Sequence, residues 1–204
     1  MEQLQRMIEK EWQMFSSVNE GYARASCQED PETFFAMRMA QFSAWSEKVC
    51  LSYEQDLDDA KSQGRNLAEE KYIRMMAVTD PERYLCLCHR LPPVTEQTGA
   101  LAEQINDILL RQTAQLRTRY PFLSKIGRPL YAADADMDDT SIETYQLGEL
   151  MTYSHRTLAL LDAHVRQLDD VGISLAERIQ RNSLRCIGFS SFEEAEKGVR
   201  LYPE

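Results

Sequence analysis

Apolar residues recur at spacings of three and four along most of the chain, and this period is the feature that most constrains its fold. Such spacing places apolar side chains on one face of an α-helix, whereas a half-buried strand needs strict alternation. Only eight glycines and seven prolines interrupt the 204 residues, which favours long helices. The sequence therefore predicts an all-α fold, a helical bundle of about eight helices.

The ends of several helices are predicted by capping residues. Asp30 followed by Pro31, and Asp80 followed by Pro81, each combine an N-cap residue with a proline in the first helical position. The predicted helices cover, in chain order, residues 2–17, 30–60, 67–76, 79–87, 95–120, 141–170, 172–180 and 190–198.

The order of these predicted elements repeats along the chain. ETFFAMRMAQFS at 32–43 aligns with ETYQLGELMTYS at 143–154, and a short helix follows the long one in both places. One interpretation is that two related four-helix halves, residues 1–93 and 94–204, build a single domain from the whole chain. The alternative is two ordinary sets of helices that share good capping chemistry.

Arg38 lies inside the apolar stripe of the second predicted helix, together with Phe42 and Trp45. An unpaired guanidinium is costly to bury, so Arg38 needs an anionic or carbonyl partner. In one interpretation it forms an internal salt bridge with Glu149, which occupies the equivalent position in the proposed repeat. In the other, Arg38 and Arg24 bind the carboxylate or phosphate of a ligand.

Further polar residues accompany this pair. Gln41 flanks Arg38, and Tyr145 and Tyr153 share a helix face with Glu149. Such a set usually forms a solvated face. The alternative is a polar pocket in which the tyrosines donate hydrogen bonds and Glu149 is the candidate catalytic base.

Cys27 and Arg128 are candidates on other grounds. Cys27 precedes an N-cap, where the helix dipole and Arg24 favour a thiolate although nearby acids oppose it. It is either a catalytic nucleophile or an ordinary buried or hydrogen-bonded thiol. Arg128 belongs to a segment, 108–133, with five basic residues and no acid. That segment either pairs with acidic neighbours or binds an anion.

The overall charge argues against two classes of partner. The chain has 33 acidic and 23 basic side chains, a formal charge of −10, which repels phosphate backbones and anionic lipid. We expect no nucleic acid and no membrane partner. The five cysteines suit reduced thiols, and no secretory signal pattern is seen, so we expect a cytoplasmic location. No motif predicts a metal or a cofactor.

Several blocks carry a family resemblance. EWQMFSSVNEGYARASCQED, ETFFAMRMAQFSAW, GRNLAEEKYIRMM, GRPL, ETYQLGELMTYS and GFSSFEEAE resemble a bacterial domain-of-unknown-function family, DUF4125, and RASCQED is the most specific block. The resemblance implies a bacterial helical domain, and no activity. It also implies that the family pattern includes Arg24, Cys27, Gln28, Asp30, Arg38, Gln41, Tyr145 and Glu149.

The sequence thus predicts that a small polar or anionic ligand binds between the helices, with turnover left open. The predicted ligand-binding residues are Arg24, Cys27, Gln28, Arg38, Gln41, Arg128, Tyr145, Glu149 and Tyr153. The alternative is a regulatory or scaffold protein whose polar cluster is structural and which exposes an apolar patch to its partner. The sequence does not fix an oligomeric state.

Overall fold

The computed structural model describes residues 2–18, 26–136 and 139–201, and the regular structure in them is helical. Short 3₁₀ helices occur in the connections. Within the described residues the ten α-helices are α1 (Glu2–Ser16), α2 (Pro31–Phe42), α3 (Glu47–Ser62), α4 (Leu67–Thr79), α5 (Pro81–Leu87), α6 (Glu96–Arg119), α7 (Ile142–Leu150), α8 (His155–Asp170), α9 (Leu175–Cys186) and α10 (Phe192–Leu201).

The all-α prediction is confirmed, but the structure has ten α-helices in its described part instead of about eight. The segment predicted as one helix at 30–60 forms α2 and α3, and the segment at 141–170 forms α7 and α8. Ser46 and Ser154 are the N-cap residues at the two breaks, with extended ψ angles of 153° and 154°. The Ser154 hydroxyl accepts from the Thr157 amide at 3.2 Å and so caps α8. The Ser46 side chain makes no capping hydrogen bond, and α3 begins after its extended backbone alone.

The two predicted N-caps form as expected. The Asp30 carboxylate accepts from the Thr33 amide at 3.0 Å, and the Asp80 carboxylate accepts from the Arg83 amide at 3.1 Å. Each bond satisfies a backbone donor that the first helical turn leaves without a partner. The starts of α2 and α5 are therefore set by local sequence.

The helices of the first part of the chain pack against those of the second. α2 packs against α9, and α4 packs against α7. The main hydrophobic core includes the buried side chains of Phe42, Leu57 and Leu158. A smaller core forms around Leu184 and Phe192 near the end of the chain.

Gly148 allows α7 to approach α4 closely. A Cβ atom at this position would lie 2.8 Å from Met75 Cγ and 3.2 Å from the Lys71 carbonyl oxygen, which is too close for an alanine without movement of α4. The contact brings Lys71 of α4 next to Glu149 of α7.

Candidate functional site

The guanidinium of Arg38 is the centre of a buried polar network. Arg38 is only 8% exposed. Its Nε donates to Glu11 Oε2 at 2.6 Å, and its Nη2 donates to Glu11 Oε1. Its Nη1 donates to Gln41 Oε1 at 2.8 Å, and both Nη1 and Nη2 donate to Glu149 Oε1 at 3.0 Å. The donors of the guanidinium are thus fully used.

Glu149 joins several helices through its two carboxylate oxygens. Its Oε2 accepts from Lys71 Nζ at 2.6 Å. Its Oε1 accepts from the Tyr153 hydroxyl at 2.7 Å and from Gln41 Nε2 at 3.2 Å. The salt bridge between Arg38 and Glu149, one of the two interpretations of the sequence, is confirmed.

Two buried tyrosines complete the network. The Tyr53 hydroxyl donates to Glu11 Oε1 at 2.9 Å, and the ring centroids of Tyr53 and Tyr153 are 4.7 Å apart. Burial, together with the carboxylate that each hydroxyl contacts, raises the pKa of both tyrosines well above the usual value. Both hydroxyls therefore stay protonated and act as donors.

The four ionised groups of the network balance one another. Burial acts to raise the pKa of Glu149, but the charges of Arg38 and Lys71 outweigh it and hold that pKa far below its usual value. Burial raises the pKa of Glu11; Arg38 opposes this and Glu149 adds to it. Burial acts to lower the pKa of Lys71, but Glu149 raises it above its usual value. Two cations and two carboxylates give no net charge.

Tyr145 lies between two cations. Lys71 Nζ is 3.4 Å from the centroid of the Tyr145 ring, and Arg128 Cζ is 5.2 Å from it. Arg128 is exposed, and its Nη1 donates to the Thr140 carbonyl at 3.1 Å. Among the described residues no carboxylate pairs with Arg128.

A cavity of about 600 Å³ lies beside the network. The charged side chains of Glu11, Arg38, Lys71 and Glu149 line it together with Tyr145. Volume and mixed lining are typical of a small-molecule site. The apolar part of the lining includes Met14, Phe15, Phe34, Met37, Met75 and Met76, and the exposed lining residues include Asp30, Thr33 and Arg128.

The structure brings together most of the residues that the sequence singled out. Arg38, Gln41, Tyr145, Glu149 and Tyr153 all belong to the network or contact it. Of the remaining candidates, Gln28 and Arg128 line the cavity, Arg24 lies outside the described residues, and Cys27 is described only as backbone, in the 3₁₀ helix Ser26–Glu29.

Gln28 has a structural role besides lining the cavity. Its side-chain amide donates to the carbonyls of Phe15 at 3.0 Å and Val18 at 2.9 Å. These bonds tie the 3₁₀ helix Ser26–Glu29 to the end of α1 and the residues after it.

The sequence analysis missed Glu11, Lys71 and Tyr53 as site residues. Glu11 comes from α1, and Lys71 comes from α4. Both charges fall on the apolar side of an amphipathic helix, which is the signal that identified Arg38. The same test applied to every helix would have found them.

Two of the five basic residues in the segment 108–133 pair with acidic neighbours. Arg111 Nη2 lies 2.7 Å from Asp169 Oδ2, and Arg119 pairs with Glu177.

Neither a metal-binding group nor a membrane-spanning helix occurs in the described ranges 2–18, 26–136 and 139–201. They contain no group of three or more His, Cys, Asp or Glu side chains that could hold a metal ion. Nor do they contain a helix long and apolar enough to cross a membrane.

Fold and site together define an all-helical protein with a cavity beside a buried, charge-balanced network. The family model "Protein of unknown function (DUF4125)" matches residues 1–197, and the chain belongs to this family. The resemblance seen in its sequence is thereby confirmed. No curated protein and no solved structure matches the chain.

Proposed function

We propose that this protein binds a small polar or anionic ligand in the interhelical cavity. The observation that carries the proposal is that four charged, nearly buried side chains, joined by ion pairs, line a cavity of about 600 Å³. Buried ion pairs contribute little to stability compared with apolar packing. Their concentration at a cavity wall is therefore better explained by recognition than by folding.

Ligand binding is favoured over a catalytic reaction in which Glu149 is the general base. A general base works best when its pKa lies near the working pH, whereas Arg38 and Lys71 hold the pKa of Glu149 far below its usual value although burial opposes them. Its oxygens also accept from four side chains. Glu149 is therefore better suited to orienting the neighbouring side chains than to accepting a proton from a substrate.

Native mass spectrometry of freshly purified protein tests the proposal. We expect a small molecule to co-purify with the wild type. Ala68 lines the cavity, so Ala68→Trp should abolish this mass. Ala77 is an exposed residue on the same helix, so Ala77→Trp should retain it. Absence of a co-purifying mass, or its retention in Ala68→Trp, would contradict ligand binding in the cavity and favour the regulatory or scaffold alternative.

We also propose that the chain is one domain built from two related halves of five helices each. Arg38 and Glu149 are separated by 111 residues, and the N-cap residues Asp30 and Ser141 have the same separation. If the halves correspond, α2 is equivalent to α7 and α4 is equivalent to α9. The contact of α2 with α9 is then the counterpart of the contact of α4 with α7, as a local twofold axis would require. A cavity beside that axis would draw residues from both halves.

The setting that we propose is the cytoplasm. The five cysteines of the chain suit a reducing compartment, and its formal charge of −10 disfavours nucleic acid and anionic lipid surfaces as partners.

A further inference from the structure

We propose that the ligand of this cavity is an amphiphile with an oxyanion head group, which Arg128, Tyr145 and Lys71 bind, and an apolar body, which packs on the methionine and phenylalanine side chains of the lining. The inference rests on the proposed ligand-binding function and names the class of molecule bound. It also places the head group away from Arg38.

The two buried carboxylates of the lining, Glu11 and Glu149, each accept several hydrogen bonds. Glu11 accepts from Arg38 and from the Tyr53 hydroxyl. Glu149 accepts from Arg38, Lys71 and other donors. The third acid of the lining, Asp30, is exposed, and its Oδ1 accepts from the Thr33 amide at the start of α2. A cationic ligand that paired with Glu11 or Glu149 would have to displace one of the donors of that carboxylate, which leaves a buried charge without its partner.

The donors near Tyr145, by contrast, are only partly used. Lys71 Nζ has three N–H donors, of which one is bonded to Glu149 while the ring of Tyr145 lies 3.4 Å away. Arg128 donates to a single carbonyl, that of Thr140. The hydroxyl of Tyr145 makes no hydrogen bond within the described part of the chain. Spare donors beside two buried carboxylates that already have cationic partners favour a ligand that supplies acceptors.

Arg38 is not the anchor for such a head group. Its five N–H donors already bond to Glu11, Gln41 and Glu149. Arg128 is different because it carries a positive charge that no carboxylate among the described residues neutralises. An oxyanion would form charge-assisted hydrogen bonds with it.

The apolar part of the lining determines the rest of the ligand. Four methionines, Met14, Met37, Met75 and Met76, line the cavity together with Phe15 and Phe34. Methionine side chains adapt to irregular apolar shapes and contact aromatic rings favourably. The cavity of about 600 Å³ accommodates a head group and a body of drug-like size.

Calorimetric titration with three matched probes tests the inference. Phenylbutyrate carries a carboxylate, its amide is an uncharged molecule of the same shape, and phenylbutyl phosphate carries the alternative oxyanion. We expect the wild type to bind the better oxyanion about tenfold more tightly than the amide. Whichever oxyanion binds more tightly identifies the head group.

Variants locate the head group. Arg128→Gln should abolish the preference for the oxyanion and leave the affinity for the amide unchanged. Arg156 is exposed and does not line the cavity, so Arg156→Gln is the matched control and should keep the preference. Equal binding of acid and amide by the wild type, or a preference that survives Arg128→Gln, would overturn the inference.

The outcome for the amide separates this inference from the proposed function. Amide binding that Ala68→Trp blocks, without any oxyanion preference, would leave the cavity as a binding site and refute only the head-group assignment. If none of the three probes shows binding that Ala68→Trp abolishes, the inference is overturned. That result would also count against the cavity as a binding site.

Discussion

A charged side chain on the apolar stripe of a helix indicates burial, and at this scale the sequence is informative. The register of Arg38 predicts its burial, and the structure confirms it at 8% exposure. Glu11 follows Met7, and Lys71 follows Leu67, by about one helical turn, so their burial was also predictable. Register within one helix does not identify the partners of these groups, because the partners come from other helices. Glu149 was predicted as a partner of Arg38 from the alignment of the two parts of the chain, whereas the pairing of Arg38 with Glu11 and of Lys71 with Glu149 was not predicted.

Removal of Arg38 should be strongly destabilising, because it leaves the carboxylates of Glu11 and Glu149 buried side by side without the cation between them. We expect Arg38→Ala to lower the free energy of unfolding by about 3–5 kcal/mol, measured by urea denaturation. Arg156→Ala, at an exposed position, should change it by less than about 0.5 kcal/mol. Similar small losses for both variants would show that the network does not hold the helices together.

The two buried carboxylates should respond to pH in opposite directions. The pKa of Glu149 is lower in the folded protein than its usual value of 4.5, since Arg38 and Lys71 outweigh the effect of burial. Its stabilising contribution is therefore complete above that value and is lost as the pH falls below it. Burial raises the pKa of Glu11, so its contribution increases as the pH falls through its folded-state pKa.

Urea unfolding at a series of pH values tests these signs. We expect Glu149→Gln to flatten the acid-side decrease in unfolding free energy, because it removes a group that the folded state keeps ionised. Glu11→Gln should make that decrease steeper, because it removes a group that the folded state protonates more readily than the unfolded chain. The same change of slope in both variants would contradict the assignment.

At the scale of helices, capping residues predict where a helix begins better than where a long apolar period is interrupted. Asp30 and Asp80 are N-caps in the structure, as the sequence predicts. The breaks between α2 and α3 and between α7 and α8 were missed because Trp45 and Tyr153, which lie in them, are buried. The apolar period therefore continues across both turns. Ser46 and Ser154 precede the new helices, but only Ser154 caps its helix with its side chain, and a serine within an apolar period does not by itself end a helix.

The close contact of α7 with α4 should depend on Gly148. We expect Gly148→Ala to lower the free energy of unfolding by about 1–3 kcal/mol, because the added Cβ overlaps Met75 and forces Lys71 away from Glu149. Gly99 is the matched control, since a Cβ there meets nothing nearer than 3.9 Å. Gly99→Ala should stabilise the protein by up to about 1 kcal/mol. Thermal unfolding of both variants gives the two signs, and equal signs would contradict this packing.

At the scale of the molecule, sequence predicts the class of fold but not the packing. The helical period determines the all-α class, and the alignment of 32–43 with 143–154 singled out Glu149 as partner of Arg38. The contact of α2 with α9 and of α4 with α7 depends on shape matching between distant helices, which neither period nor caps encode. Those contacts join the two parts of the chain.

The two parts of the chain should unfold together. Trp12 and Trp45 both lie in residues 1–93, whereas far-UV circular dichroism reports helices from the whole chain. Because α2 and α4 bury their faces against α9 and α7, we expect the fluorescence and dichroism midpoints in urea to coincide. A variant with both tryptophans replaced by phenylalanine and with Leu160→Trp moves the fluorescent reporter to α8 and should again give coincident midpoints. Separate fluorescence and dichroism transitions in either protein would show that the parts fold as independent units, and the single domain proposed for the chain would then be wrong.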